Sequence, residues 1–174
     1  MTGGLMLERL LRPVAGALPA TDPAQVSMLA ARLEAGGRRR GSRAMRLLHV
    51  GTGGCGGCAM EIAAFEGPSF DLARAGLSLT ASPLQADILL VTGPGARNAA
   101  GPLRLAWEAM APPRHVIAVG DCAAGDGLFA AGYAIADGGV GGIVPVDLVV
   151  RGAPPPPEAV LLAILTLVEA GVRS

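Results

Sequence analysis

Between Arg46 and Gly171 the apolar residues fall into short unbroken runs separated by stretches of mixed polarity. RLLHV (46–50), DILLVTG (87–93), HVIAVGD (115–121) and VDLVV (146–150) each read as a strand that is apolar on both faces. MEIAAF (60–65), GPLRLAWEAM (101–110) and PEAVLLAILTLVEAG (157–171) have helical spacing. The second of these helices stops before Pro112–Pro113. The last has proline in its first turn and Gly171 at its stop. Unbroken apolar strands alternating with helices predict an α/β fold: a parallel sheet covered by helices on both faces. In such sheets ligands collect outside the carboxyl ends of the strands.

Residues 1–45 follow a different pattern and predict a helical N-terminal arm with a basic linker, leaving 46–174 as the main domain. LMLERLLRPV (5–14) is a short helical pattern cut by Pro13. TDPAQVSMLAARLEAGG (21–37) has a cap, a proline, an apolar stripe of Val26, Leu29 and Leu33, and a Gly36–Gly37 stop. RRRGSR (38–43) reads either as a solvated connector or as a docking arm toward a partner or an anionic membrane surface.

Composition narrows the function. The 174 residues suit one domain with a sizeable core. Aromatics are only 3%, so that core is built from Val, Leu, Ile and Ala. All 14 basic residues are arginine and the formal net charge is zero, which gives no footprint for nucleic acid. A neutral, apolar, glycine-rich surface favours life inside a complex. No secretory signal is visible, and the longest apolar run, AVLLAILTLV (159–168), is too short to span a bilayer. Three cysteines make a poor disulfide framework and suit a reducing compartment, so the expected location is cytoplasmic, with any membrane contact through a partner.

The chemistry concentrates in GTGGCGGCAMEI (51–62), where five glycines surround Cys55 and Cys58. Cys122 follows the third predicted strand and RGAPPPP (151–157) the fourth, so three loops leaving strand carboxyl ends can converge. Glycine lets the backbone adopt positive φ and approach an inorganic cluster, with its amides as donors to sulfide. A thioredoxin-like pair leaves Cys122 without a role. A zinc site lacks a second Cys or His pair, with only His49, His115 and aspartates remaining. The phosphate-loop patterns are absent. Buried structural cysteines remain the plain alternative.

CGGCAMEI (55–62), SPLQADILLVTG (82–93), VIAVGDCAAGDGLF (116–129) and GGIVPVDLVVRGAPPPPEAVLLAIL (141–165) together resemble the small iron–sulfur subunit shared by nickel–iron hydrogenases and respiratory complex I. They are most similar to the small subunit of formate-hydrogenlyase-type and other membrane-bound, complex-I-like hydrogenases. The resemblance implies a flavodoxin-like fold and a [4Fe–4S] cluster. It also implies electron relay between a large catalytic subunit and further iron–sulfur subunits or quinone, on the cytoplasmic side of the inner membrane. It assigns Cys55, Cys58 and Cys122 as cluster and metal ligands, and it puts the fourth ligand at Ala153, which cannot coordinate iron. Three outcomes follow: a [4Fe–4S] cluster with a non-cysteine ligand, for which Asp121, Asp126 and Asp147 are the candidates; a [3Fe–4S] cluster; or a cluster-free structural subunit. No nickel–iron ligand motif is present, so the chain is not catalytic alone. A stand-alone flavodoxin-like binding domain is a further alternative, disfavoured by the absence of an aromatic residue beside the flavin position.

Glu61 lies three residues after Cys58. The resemblance puts it near the large-subunit interface, where it could serve proton or quinone chemistry; the plain reading is a first-turn glutamate favoured by the helix dipole. Asp71 and Arg74 resemble an interface segment or form an i,i+3 pair. Glu66 reads as a solvated helix face, His49 as a satisfied buried histidine, His115 as a surface or interface residue, Trp107 as packing, and Asp87 as structural. GGVGG (138–142) reads as a flexible turn.

Overall fold

The computed structural model describes residues 44–67, 72–73 and 75–171. The predicted arm over 1–45 lies outside the described residues except for its last two positions, and so do Asp71 and Arg74. Five strands form one sheet: β1 (Met45–Gly51), β2 (Leu77–Leu79), β3 (Ile88–Thr92), β4 (His115–Val119) and β5 (Leu148–Val150). The helices are α1 (Gly57–Ala63), α2 (Ala100–Ala109) and α3 (Pro157–Gly171). All four strand pairings are parallel, in the order β2-β1-β3-β4-β5. That order is the flavodoxin-like one, with its switch point between β1 and β3.

Strand β3 is the centre, and all five of its residues are buried. Ile88 and Leu90 join one apolar layer with Ile62 and Phe65 near α1 and with Val160, Ile164 and Leu165 of α3. Leu89 and Val91 join the opposite layer with Leu103 of α2, Met110, Val140 and Ile143. A strand covered on both faces has no polar side to display, which is why its sequence is an unbroken apolar run.

Two elements differ from the sequence expectation. The sheet has a fifth strand, β2, the edge strand beside β1; at three residues its LSL run is too short to carry a period. GGVGG is not a flexible turn. Residues Gly139–Gly142 form one 3-10 turn in which Gly139 and Val140 are buried, and Val140 N–H donates to the Ala123 carbonyl at 3.0 Å. A side chain on Gly139 would meet the Gly125 amide nitrogen at 2.5 Å, so this glycine serves close backbone packing against the loop after β4.

The amino ends of the strands are closed by two aspartates. Asp87 accepts from Arg46 N–H at 2.8 Å and Asp147 accepts from Val116 N–H at 2.7 Å. Each therefore pairs with the start of the neighbouring strand, which bears out the structural reading of Asp87. It also removes Asp147 from the candidate iron ligands. Asp147 precedes β5 and sits with His115, 3.8 Å from its Nδ1, at the end of the sheet opposite the three cysteines.

Candidate metal centre at the carboxyl end of the sheet

Residues 52–58 leave β1 at the switch point. Thr52 is fully buried; its hydroxyl donates to the Thr92 carbonyl at 2.8 Å and accepts from Gly95 N–H at 3.0 Å, tying the loops after β1 and β3 together. The two loops touch backbone to backbone, and a Cβ on Gly93 would overlap the Gly53 carbonyl oxygen. Gly53, Gly54 and Gly56 all have positive φ, so the chain turns sharply and delivers Cys55 exposed and Cys58 half-buried at the start of α1. Cys122 comes from the loop after β4. All three thiols are unpaired and line one open, shallow hollow with glycines 53, 54, 56, 57 and 93.

Burial pushes the Cys58 thiol above its ordinary range, and the neighbouring Cys55 and Cys122 thiolates push it further. Burial likewise raises Cys122, followed by Cys55 and the carboxylate of Asp121. Thiols that repel one another as thiolates form a site whose charge a cation relieves, at the cost of releasing protons. Among the described residues, no group of three or more His, Cys, Asp or Glu side chains has the geometry of a single metal-ion site. In an iron–sulfur cluster each thiolate binds a different iron, so three cysteines lining one hollow have the chemistry of that donor set.

The fourth loop is present without a donor. The turn after β5 is held against the loop after β4: Gly152 N–H donates to Asp121 Oδ1 at 3.0 Å, Asp121 N–H donates to the Gly152 carbonyl at 2.9 Å, and Arg151 pairs with Asp126. A Cβ on Gly120 would meet Cys58 Sγ at 2.5 Å and the Gly152 oxygen at 3.4 Å; one on Gly57 would meet Cys55 Sγ at 3.7 Å and Pro154 at 3.8 Å. The exposed Ala153 therefore lies between two residues, Gly152 and Pro154, that approach the Cys55–Cys58 loop.

Glu61 is the fifth residue of α1, whose first turn has no acidic residue, so the dipole explanation for it fails. It is half-buried, and its side chain forms no hydrogen bond or ion pair among the described residues. Trp107 is half-buried against the α2 layer, with the Arg114 guanidinium 3.9 Å from its ring centre. The half-buried His115 opens β4 as expected, with a buried Nδ1 that has no hydrogen-bond partner.

His49 is half-buried in β1, and its Nε2 lies 2.9 Å from Thr92 Oγ1. Burial lowers its pKa from 6.5. Below about pH 6.5 the unfolded chain takes up a proton that the folded chain refuses, so stability is full above that pH and declines as pH falls toward the folded-state value. His49→Gln keeps a hydrogen-bonding group toward Thr92 and is expected to flatten that decline. Thermal melts of both proteins between pH 5 and 7.5 measure it, and identical pH slopes would contradict the assignment.

A parallel sheet in the order β2-β1-β3-β4-β5, with three unpaired thiols lining a hollow at its carboxyl end, defines a flavodoxin-like domain. Residues 55–167 match the model of the family described as NADH ubiquinone oxidoreductase, 20 Kd subunit, and the chain belongs to that family. It is 39% identical over 123 residues to an uncharacterized protein of Methanocaldococcus jannaschii, covering 71% of this chain and 82% of that one. It is also 39% identical to the “Probable membrane-bound hydrogenase subunit mbhJ” of Pyrococcus furiosus, covering 71% and 73%. It is 46% identical to an NADH-quinone oxidoreductase subunit of Roseiflexus sp., covering 64% and 66%. Among solved structures, a chain of the membrane-bound sulfane sulfur reductase, an archaeal respiratory membrane complex, superposes with a TM-score of 0.62 at 27% identity, covering 78% of this chain and 77% of that one.

Proposed function

We propose that this chain is the electron-relay subunit of a membrane-associated oxidoreductase of the complex I or membrane-bound hydrogenase type, holding an iron–sulfur cluster on Cys55, Cys58 and Cys122. The observation that carries the reading is three unpaired thiols, delivered by two strand-end loops to one glycine-walled hollow. When bound, the cluster stores and passes single electrons. The cysteines anchor it, and the positive-φ glycines let the backbone approach it with amide donors.

A large catalytic subunit and other iron–sulfur subunits are the proposed partners. Apolar side chains exposed around the cysteine end suit such a surface: Met60 on α1, and Leu128, Phe129 and Tyr133 in the excursion after Cys122. Glu61, half-buried beside Cys58, is the proposed proton-handling or interface residue. No helix among the described residues is long and apolar enough to cross a membrane. The proposed attachment, to the cytoplasmic face, runs through partner subunits. A reducing cytoplasm also matches three free thiols.

Ala153 favours a second reading, a cluster-free structural subunit. The full chain, purified anaerobically by a tag with whatever accompanies it, decides between the two. Iron and acid-labile sulfide in near-equal amounts, about three to four of each per chain, are expected for the relay. Their absence would leave the structural role.

A further inference from the structure

The carboxylates nearest the fourth loop are held by the protein, and Asp121 Oδ2 is left as the closest rival donor. Asp121 is bound through Oδ1 and through its own amide to Gly152, and Asp126 is paired with Arg151. Asp147 lies at the far end of the sheet. The nearby hydroxyls are committed as well, Thr52 to Thr92 and Gly95, and Thr92 to His49. The turn that approaches the Cys55–Cys58 loop through Gly152 and Pro154 carries between them only the exposed Ala153.

We infer that, among the described residues, no side chain closes the fourth corner of the site, and that this corner is an exchangeable ferrous-iron position. The inference rests on the proposed cluster and adds a property to it: three irons are held by thiolates, whereas the fourth can leave and return. On departure, ferricyanide takes one electron from a [4Fe–4S]2+ cluster and becomes ferrocyanide; the oxidised 3+ cluster then releases Fe2+, leaving [3Fe–4S]+. Return requires one electron from dithionite together with one Fe2+.

The test uses the full chain with its co-purifying partners, made anaerobically. Ferricyanide with EDTA is expected to remove one iron in four from the wild-type protein and to produce the low-temperature EPR signal of a three-iron cluster. Ferrous iron plus dithionite should reverse both changes. Ala153→Cys, which supplies a thiol at the open corner, is expected to retain its iron under the same treatment. Asp121→Asn keeps an oxygen for the Gly152 amide and tests the closest rival donor; it should exchange iron like the wild type.

A wild-type cluster that keeps all four irons through oxidation and chelation would overturn the inference and leave the relay reading standing. So would an Asp121→Asn protein that loses iron spontaneously where the wild type does not. Iron-free protein throughout would overturn the relay reading itself. The wild-type arm decides the question even if the Ala153 variant fails to fold.

Discussion

Serine in place of Cys58 is expected to reduce the iron bound per chain by roughly tenfold or more, since an unactivated hydroxyl is a poor substitute for a thiolate toward iron. The same change should leave the iron-free fold within about 1 kcal/mol of the wild type, because it nearly conserves volume and Cys58 is only partly buried at the edge of the core. Cys58 is the right member of the trio to test. Its thiol is half-buried, feels both other thiols, and presses against Gly120, so it is fixed on more sides than the exposed Cys55. Iron analysis of the anaerobically purified variant, with thermal melts of both iron-free proteins, separates loss of the metal centre from loss of the fold. Wild-type iron content in Cys58→Ser would remove Cys58 from the ligand set.

The parts of this molecule visible in its sequence are those fixed by local, repeated physics. Strands β1, β3 and β4 are buried on both faces, so LLHV, ILLVT and HVIAV announce themselves as apolar runs. Helix α3 is announced by Pro157 at its start and by its apolar spacing. Strand β2 is hidden because an edge strand of three residues has neither length nor alternation to mark it. The gathering of three thiols follows from the rule about strand carboxyl ends, which needs only the order of elements.

What the sequence conceals are relations between distant residues. Nothing in PVDLVV distinguishes Asp147 from Asp121 as a metal ligand. Only the pairing of β4 with β5 reveals that the first serves the amino end, bonded to Val116, and the second the carboxyl end, bonded to Gly152. GGVGG reads as flexible because glycine is permissive in an isolated chain. In the fold, Gly139 is buried where the loops after β3 and β4 leave no room for a Cβ. Glu61 reads as a dipole-favoured glutamate because sequence alone does not fix the start of α1 to the residue; with Gly57 as the first helical position, it falls outside the first turn.

Alanine at Gly120 is expected to lower iron content although all three cysteines remain. A methyl group there would lie 2.5 Å from Cys58 Sγ, well inside van der Waals contact, so either the thiol or the strand end must move. The backbone at 120 also has φ +98°, a conformation that costs a residue with a Cβ about 1–3 kcal/mol. For a domain of this size that corresponds to a melting shift of roughly 2–12 °C. Gly141→Ala is the control, since Gly141 lies outside the positive-φ region and a Cβ there meets nothing within 4 Å. Both variants should be assayed for iron per chain and for melting midpoint in the iron-free state. The expected result is a loss in both quantities for Gly120→Ala and in neither for Gly141→Ala. A Gly120→Ala protein that melts lower but binds iron as the wild type does would mean that the Cys58 sulfur can be displaced without consequence. In that case the glycine serves only the turn between β4 and Cys122, and the position of Cys58 in the hollow is not what holds the cluster.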